Sequence, residues 1–181
     1  SGSIRVHATG KVTVLTGAHS HGQGHETTMT QIVADELGVD INDVDLVHGD
    51  TAVIPNGMGT YGSRSTSVGG SALVRSAEKV RAKMMKLAAH QLEAPLEEMV
   101  YDQDQGKVYV KGVPSKAKSF GELAFAAYTA HNLPEGMEPG LEEDSYYDPA
   151  NFTYPNSVHI AQVEVDPDTG EITIQRYIAV D

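Results

Sequence analysis

Cysteine is absent from this sequence of 181 residues. Without cysteine, the chain can form neither a disulfide framework nor a thiolate metal site. The N-terminus also lacks the positively charged stretch followed by an apolar run that marks a secretory signal. Together these absences favour a cytoplasmic protein.

Positive charge is scarce, because 13 lysines and arginines face 25 aspartates and glutamates, for a formal net charge of -12. Surfaces that bind duplex nucleic acid need clustered basic residues, so the composition argues against nucleic acid as a partner. No apolar stretch approaches the roughly 20 residues that cross a bilayer, and no membrane span is predicted. Any anion-binding site must therefore be local.

The length predicts one domain over residues 1–181, which is enough chain to bury a substantial core. The first residues, "SIRVHATGKVTVLTG", enter a strand pattern at once, and the last, "GEITIQRYIAVD", are still in one. We therefore expect a domain excised from a longer polypeptide.

Alternating apolar residues predict the strands. They indicate a hairpin over residues 4–16 that turns near Gly10, a short strand within residues 43–50, a hairpin within residues 99–112 and a last hairpin within residues 157–181. Residues 51–71 and 133–155 show neither strand nor helix periodicity, and we expect irregular structure there.

Apolar residues at helical spacing predict three helices. The first covers residues 28–37 and is followed by Gly38, the second covers residues 73–92, and the third continues to Tyr128. The third begins with a capping box, Ser119 to Glu122. Hairpins interspersed with helices predict the α+β class, a mixed β-sheet with helices packed on it.

Three histidines, His19, His21 and His25, precede the first predicted helix. A helical zinc site needs a second histidine four residues after the first, and Met29 follows His25 at that spacing. The three imidazoles could still bind a metal ion, serve as ordinary polar residues of a loop, or contact a bound cofactor. The residues leave these alternatives open.

Two glycines, Gly22 and Gly24, also precede this helix. They do not complete a dinucleotide-binding fingerprint, because its third glycine would fall at Thr27. However, glycines let the backbone approach a ligand closely, and the free N–H groups at a helix start attract anions. The stretch is thus typical of either an anion site or a structural turn.

A second glycine-rich stretch, "GTYGSRS", runs from Gly59 to Ser65 ahead of the longest helix. It combines hydroxyl groups and glycines with one guanidinium, a combination that suits a diphosphate. Arg64 could bind phosphate or pair with one of the many carboxylates. Because each stretch follows a predicted strand, the two could converge at one edge of the sheet.

Three segments together resemble a known family: "GQGHETTMTQIVADELG", "GDTAVIPNGMGTYGSRSTSVGGSAL" and "DPANFTYP". They resemble the molybdenum-binding large subunit of the xanthine dehydrogenase superfamily of molybdenum hydroxylases, with the closest likeness to the aerobic carbon monoxide dehydrogenase large-subunit group. The likeness covers nearly the whole chain.

The resemblance implies a cofactor, molybdopterin cytosine dinucleotide with molybdenum. It implies that Gln23, between Gly22 and Gly24, contacts the molybdopterin end. It also implies that the second loop binds the pterin and phosphates through Thr60, Gly62, Ser63 and Ser65. No catalytic residue and no metal ligand is expected in this chain.

The resemblance further implies a molybdenum-dependent oxidoreductase, which oxidises an aldehyde, a heteroaromatic compound or carbon monoxide with oxygen from water. The implied partners are the remainder of the large subunit, iron–sulfur and flavin subunits or domains, and a small-molecule substrate. The family's catalytic glutamate lies in a G-E-P-like motif that "PEGMEPG" does not match. We therefore expect residues 1–181 alone to be inactive.

Two rival hypotheses come from the residues. One is a non-catalytic module that binds an anion or a nucleotide through the two glycine-rich stretches. The other is a metal protein with His19, His21 and His25 as ligands.

Overall fold

The computed structural model describes residues 1–54 and 56–180. Pro55 of the second glycine-rich region and Asp181, the last residue of the final predicted strand, lie outside the described residues. The chain divides into two compact units, one of Ser1–Ala150 and one that begins at Asn151. A single domain over residues 1–181 stays a prediction.

The first unit contains seven of the strands and all of the α-helices in the described residues. In chain order these elements are β1 Gly2–Val6, β2 Val12–Thr16, α1 His25–Leu37, β3 Val44–His48, α2 Ser71–Gln91, β4 Met99–Asp102, β5 Lys107–Val110, β6 Val113–Ser119, α3 Phe120–Thr129 and β7 Leu141–Ser145. A π-helix, Ser65–Gly70, leads directly into α2. The second unit contains β8 Val158–Val165 and β9 Ile172–Val180, paired as an antiparallel hairpin.

The main sheet has the strand order β3-β2-β1-β7 and is mixed. β2 pairs with β3 in parallel, whereas β1 pairs antiparallel with both β2 and β7. A smaller antiparallel sheet has the order β4-β5-β6. The predicted α+β class, with helices packed on a mixed sheet, is confirmed.

The core lies between the main sheet and the helices α1 and α2. One face of the sheet is apolar because alternate residues of β1 and β2 point to it. The fully buried residues of the core include Ile4, Val6, Val12 and Val14 from the sheet, Met29, Val33 and Leu37 from α1, and Leu73, Val80, Met84 and Leu87 from α2. These are the helical and alternating positions that the sequence pattern marks as apolar.

Four parts of the predicted secondary structure are wrong. Helix α1 begins at His25 rather than residue 28, because the carbonyl of Gly24, which has φ 80, accepts the first helical hydrogen bonds. Residues Ser65–Gly70, predicted as loop, form the π-helix, where Gly69 and Gly70 lie close against Met29 and Ile32 of α1.

The third error concerns β7, which lies in the segment predicted as irregular. Its sequence, LEEDS, is too polar to show strand periodicity, yet it pairs with β1 along its whole length. Ion pairs stabilise it, with N–O distances of 2.6 Å for both Arg5–Glu142 and Lys83–Glu143. Strand β6 was likewise not predicted.

Candidate functional site

The parallel pairing of β2 and β3 places two loops at one edge of the main sheet. Thr16 and His48, the last residues of these strands, are partners in the register. The first loop, residues 17–24, leaves β2, and the second loop, residues 49–64, leaves β3. The carboxyl ends of parallel strands are a frequent place for ligand binding in sheets of this kind.

Glycines let the backbones of the two loops touch. Gly59 donates its N–H to the carbonyl of Gly17 over 3.1 Å. A Cβ atom on Gly17 would lie 2.5 Å from the carbonyl oxygen of Asn56 and 2.7 Å from the Cα of Gly57. The motifs did not single out Gly17 or Gly57, because their role depends on a contact between loops that are distant in sequence.

Thr60 adds side-chain hydrogen bonds between the loops. Its hydroxyl donates to the carbonyl of His19 over 2.6 Å and accepts the N–H of His19 at 3.2 Å. The hydroxyl of Ser65 donates to the hydroxyl oxygen of Thr60 over 3.1 Å. Thr60 and Ser65, both predicted site residues, are therefore in contact with each other, and Thr60 also contacts the first loop.

Gln23 is joined to this network through His25. The side-chain oxygen of Gln23 accepts the N–H of His21, and its side-chain nitrogen lies 3.1 Å from Nε2 of His25. The same Nε2 lies 3.1 Å from the hydroxyl of Thr60. His25 is only 5% exposed, and burial is the main cause that lowers its pKa, which favours the neutral imidazole.

The predicted glycines border open space. Gly22, Gly24 and Gly59 have φ values of 96, 80 and 75, and a Cβ atom on any of them would meet no described atom within 4 Å. Glycine is favoured at each by its backbone conformation, and the absence of a side chain leaves the peptide groups accessible. Gly24 also begins α1, whose first N–H groups carry partial positive charge. This arrangement fits an extended anionic ligand.

The rest of the second loop carries a positive charge and a strained turn. Gly62 and Ser63 have φ values of 64 and 52, and the left-handed conformation costs Ser63 about 1–2 kcal/mol. The guanidinium of Arg64 lies 5.3 Å from the ring centre of Tyr61 and donates to its hydroxyl over 3.4 Å. No ion pair of Arg64 with a carboxylate occurs within residues 1–54 and 56–180, and its side chain lines the cavity described below.

Two histidines and a glutamate, His19, His48 and Glu26, are connected in a row beside the two loops. Nδ1 of His19 is 3.1 Å from Nδ1 of His48, and Nε2 of His48 is 2.9 Å from a carboxylate oxygen of Glu26. Ser20 donates to the other oxygen of Glu26 over 3.0 Å. Hydrogen bonds from its own backbone N–H, His48 and Ser20 lower the pKa of Glu26. No sequence motif marks His48, because its contacts come from strand pairing.

The metal hypothesis can be compared with these positions. In the described part of the chain, no three histidine, aspartate or glutamate side chains are grouped so that they could hold a metal ion, and this includes His19, His21 and His25.

In the same part of the chain, no helix has the length and apolar character needed to cross a membrane.

A cavity of about 220 Å³ adjoins the loops. Its lining includes Gly17, Gly59, Tyr61, Arg64, Ser65 and Tyr146. It combines the guanidinium of Arg64 and the hydroxyl of Ser65 with the rings of three tyrosines, Tyr61, Tyr146 and Tyr147, so it can accept a group that is both planar and polar. The fold and the site define an α+β domain with two glycine-rich loops joined at one sheet edge.

Comparison with known proteins identifies the family. The model of the molybdopterin cofactor-binding domain matches residues 1–181. The chain is 45% identical over 178 residues to the carbon monoxide dehydrogenase large chain of Hydrogenophaga pseudoflava, covering 98% of this chain and 22% of that one. It is 44% identical over 181 residues to the corresponding chain of Afipia carboxidovorans, covering 100% and 22%.

Solved structures agree. A crystal structure of Cu,Mo-CO dehydrogenase matches with a TM-score of 0.88 and 44% identity, covering 98% of this chain and 22% of that chain. Quinoline 2-oxidoreductase from Pseudomonas putida 86 matches with a TM-score of 0.84 and 40% identity, covering 98% and 22%. This chain belongs to the family of molybdopterin cofactor-binding domains and is similar to part of the carbon monoxide dehydrogenase large chain. It spans about a fifth of the length of these relatives.

Proposed function

We propose that the two loops hold molybdopterin cytosine dinucleotide with its molybdenum. The first loop would contribute Gly22, Gln23 and Gly24, with Gln23 at the molybdopterin end. The second would contribute Thr60, Gly62, Ser63 and Ser65 to the pterin and phosphates. The observation that carries the proposal is the hydrogen bonding of Thr60, which joins both loops at one edge of the sheet.

The donors at this edge suit phosphate oxygens. The positions where a Cβ would lie on Gly22, Gly24 and Gly59 are open, so a ligand can approach the backbone closely, and α1 begins beside Gly24. The carboxylate of Glu26 also lies at this helix start, where it would repel an anion, but Ser20 and His48 hold it by hydrogen bonds. Arg64 adds a positive charge on the second loop.

We infer that the complete protein is the large subunit of a molybdenum-dependent oxidoreductase of the cytoplasm. When bound, the cofactor supplies the molybdenum centre that oxidises an aldehyde, a heteroaromatic compound or carbon monoxide with oxygen from water. The residues of this chain bind and orient the cofactor. The catalytic glutamate is proposed to belong to the remainder of the large subunit, and iron–sulfur and flavin subunits would be its partners.

The test is to replace Thr60 by valine in the full-length protein, which keeps the shape of the side chain and removes the hydroxyl. Molybdenum and cytidine nucleotide per polypeptide should both fall, by up to about tenfold, because the partners of Thr60 lose their hydrogen bonds. The control is Thr173→Val, the same change at an exposed position of β9.

Wild-type contents of both components in Thr60→Val would contradict the proposed site. A nucleotide other than cytidine in the wild-type protein would contradict the dinucleotide form. A bound nucleotide without molybdenum would favour the rival hypothesis of a non-catalytic nucleotide-binding module.

A further inference from the structure

His25 lies between a side chain of the first loop and a side chain of the second loop. It is the first residue of α1 and is 5% exposed. Its Nε2 atom lies 3.1 Å from the side-chain nitrogen of Gln23 and 3.1 Å from the hydroxyl oxygen of Thr60. One buried atom thus contacts a side chain from each loop.

The hydrogen bonds determine the protonation of this imidazole. The amide nitrogen of Gln23 can only donate, so Nε2 of His25 accepts, and the ring hydrogen is on Nδ1. Reversing the Gln23 amide would remove the hydrogen bond that its oxygen accepts from the N–H of His21. Burial lowers the pKa of His25, which agrees with a neutral ring.

The side-chain amide of Gln23 is held at both its oxygen and its nitrogen. The amide oxygen is held by the backbone of His21 and the amide nitrogen by the ring of His25. The hydroxyl of Thr60 donates its hydrogen to the carbonyl of His19, so it packs against Nε2 of His25 without donating to it. The hydrogen bond of His25 therefore acts on the orientation of Gln23.

We propose that His25 is a positioning residue, which accepts a hydrogen bond from the Gln23 amide and so fixes the orientation of this side chain toward the cofactor. The inference rests on the function proposed above. It adds that Gln23 is correctly oriented for the cofactor only when the imidazole holds its amide nitrogen.

The test compares His25→Gln with His25→Asn in the full-length protein purified with its cofactor. Glutamine places its amide near the position of Nε2, whereas asparagine is one methylene shorter. Released cofactor is removed by gel filtration at successive times, and the molybdenum that remains per polypeptide is measured. We expect release within about twofold of the wild-type rate for His25→Gln and about tenfold faster for His25→Asn, the effect of one unreplaced hydrogen bond. The control, His90→Asn, changes an exposed histidine of α2.

A double variant tests the coupling. If His25 acts through Gln23, the acceleration caused by His25→Asn is smaller in a Gln23→Ala background than in the wild type. Equal release rates for His25→Gln and His25→Asn, or an equal effect of His25→Asn in both backgrounds, would overturn the inference.

Neutron diffraction of the unsubstituted full-length protein gives an answer that depends on no variant. Hydrogen on Nδ1 and none on Nε2 of His25 supports the inference, and hydrogen on Nε2 overturns it. Failure of the proposed function is recognised separately, since Thr60→Val would then leave the molybdenum and nucleotide contents unchanged.

Discussion

At the scale of single residues, glycine acts in two different ways at this site. Gly22, Gly24 and Gly59 leave peptide groups accessible beside open space, whereas Gly17 and Gly57 allow two backbones to touch. The first role can be predicted from the sequence, because such glycines occur in recognisable motifs ahead of helices. The second role cannot, since it depends on which residues of a distant loop lie opposite.

The close contact predicts that Gly17→Ala damages the site. The new Cβ would lie 2.5 Å from the carbonyl oxygen of Asn56, so the loops must separate. We expect a loss of about 1–3 kcal/mol in the free energy of unfolding and less molybdenum per polypeptide in the full-length protein. Urea unfolding and metal analysis measure both.

The control is Gly121→Ala on α3, where a Cβ would meet no described atom within 4 Å. An alanine there should leave stability unchanged or raise it slightly. Wild-type stability and molybdenum content in Gly17→Ala would show that the two backbones do not need this contact.

The histidines show the same distinction between motif and contact. Their density suggested a metal ion, an ordinary loop or a cofactor contact, and the sequence could not decide among these. The structure shows His25 buried between Gln23 and Thr60, and His19 beside His48. These contacts follow from the parallel register of β2 and β3, which hydrophobic periodicity does not report.

At the scale of elements, predictions succeeded where apolar residues carry the signal. The hairpin of β1 and β2 alternates fully buried positions with half-buried or exposed ones, and α2 buries one regular face. Strand β7 was missed because its stability comes from pairing with β1 and from ion pairs of Glu142 and Glu143. Cross-strand pairs of this kind cannot be seen in a short polar stretch.

The capping box of α3 leads to a prediction about pH. Glu122 accepts hydrogen bonds from the N–H and hydroxyl of Ser119 at 2.8 and 2.7 Å, and these bonds lower its pKa. A carboxyl whose pKa is lowered on folding stabilises the folded state above its unfolded pKa. That contribution is lost as the pH falls below the usual glutamate value of about 4.3 and through the lower folded value.

Ser119→Ala should therefore reduce the free energy of unfolding by about 1 kcal/mol at pH 7, the usual value of an N-cap. The difference from the wild type should shrink as the pH falls below about 4. Urea unfolding followed by helical circular dichroism measures it, with Ser115→Ala on the exposed part of β6 as the control. A difference that is constant from pH 7 to pH 3 would show that Glu122 does not contribute.

At the scale of the whole molecule, the charge balance makes the site local. A chain with net charge -12 repels anions on average, so binding a cofactor with phosphates depends on a few directed groups. The described candidates are the peptide N–H groups of the glycine-rich loops, the hydroxyls of Thr60 and Ser65, and the guanidinium of Arg64. The chain also spans about a fifth of the relatives that it matches.

These two facts predict weak cofactor binding by residues 1–181 alone. Four or five charge-assisted hydrogen bonds contribute about 1.5–3 kcal/mol each. Immobilising the ligand costs about 4–15 kcal/mol, so little net binding free energy remains. Native mass spectrometry of the isolated chain, mixed with cofactor released from the full-length protein, should show little complex. Circular dichroism confirms that the isolated chain is folded, and the full-length protein is the positive control. A stoichiometric complex that survives gel filtration would show that the two loops suffice, and that the remainder of the large subunit contributes little to affinity.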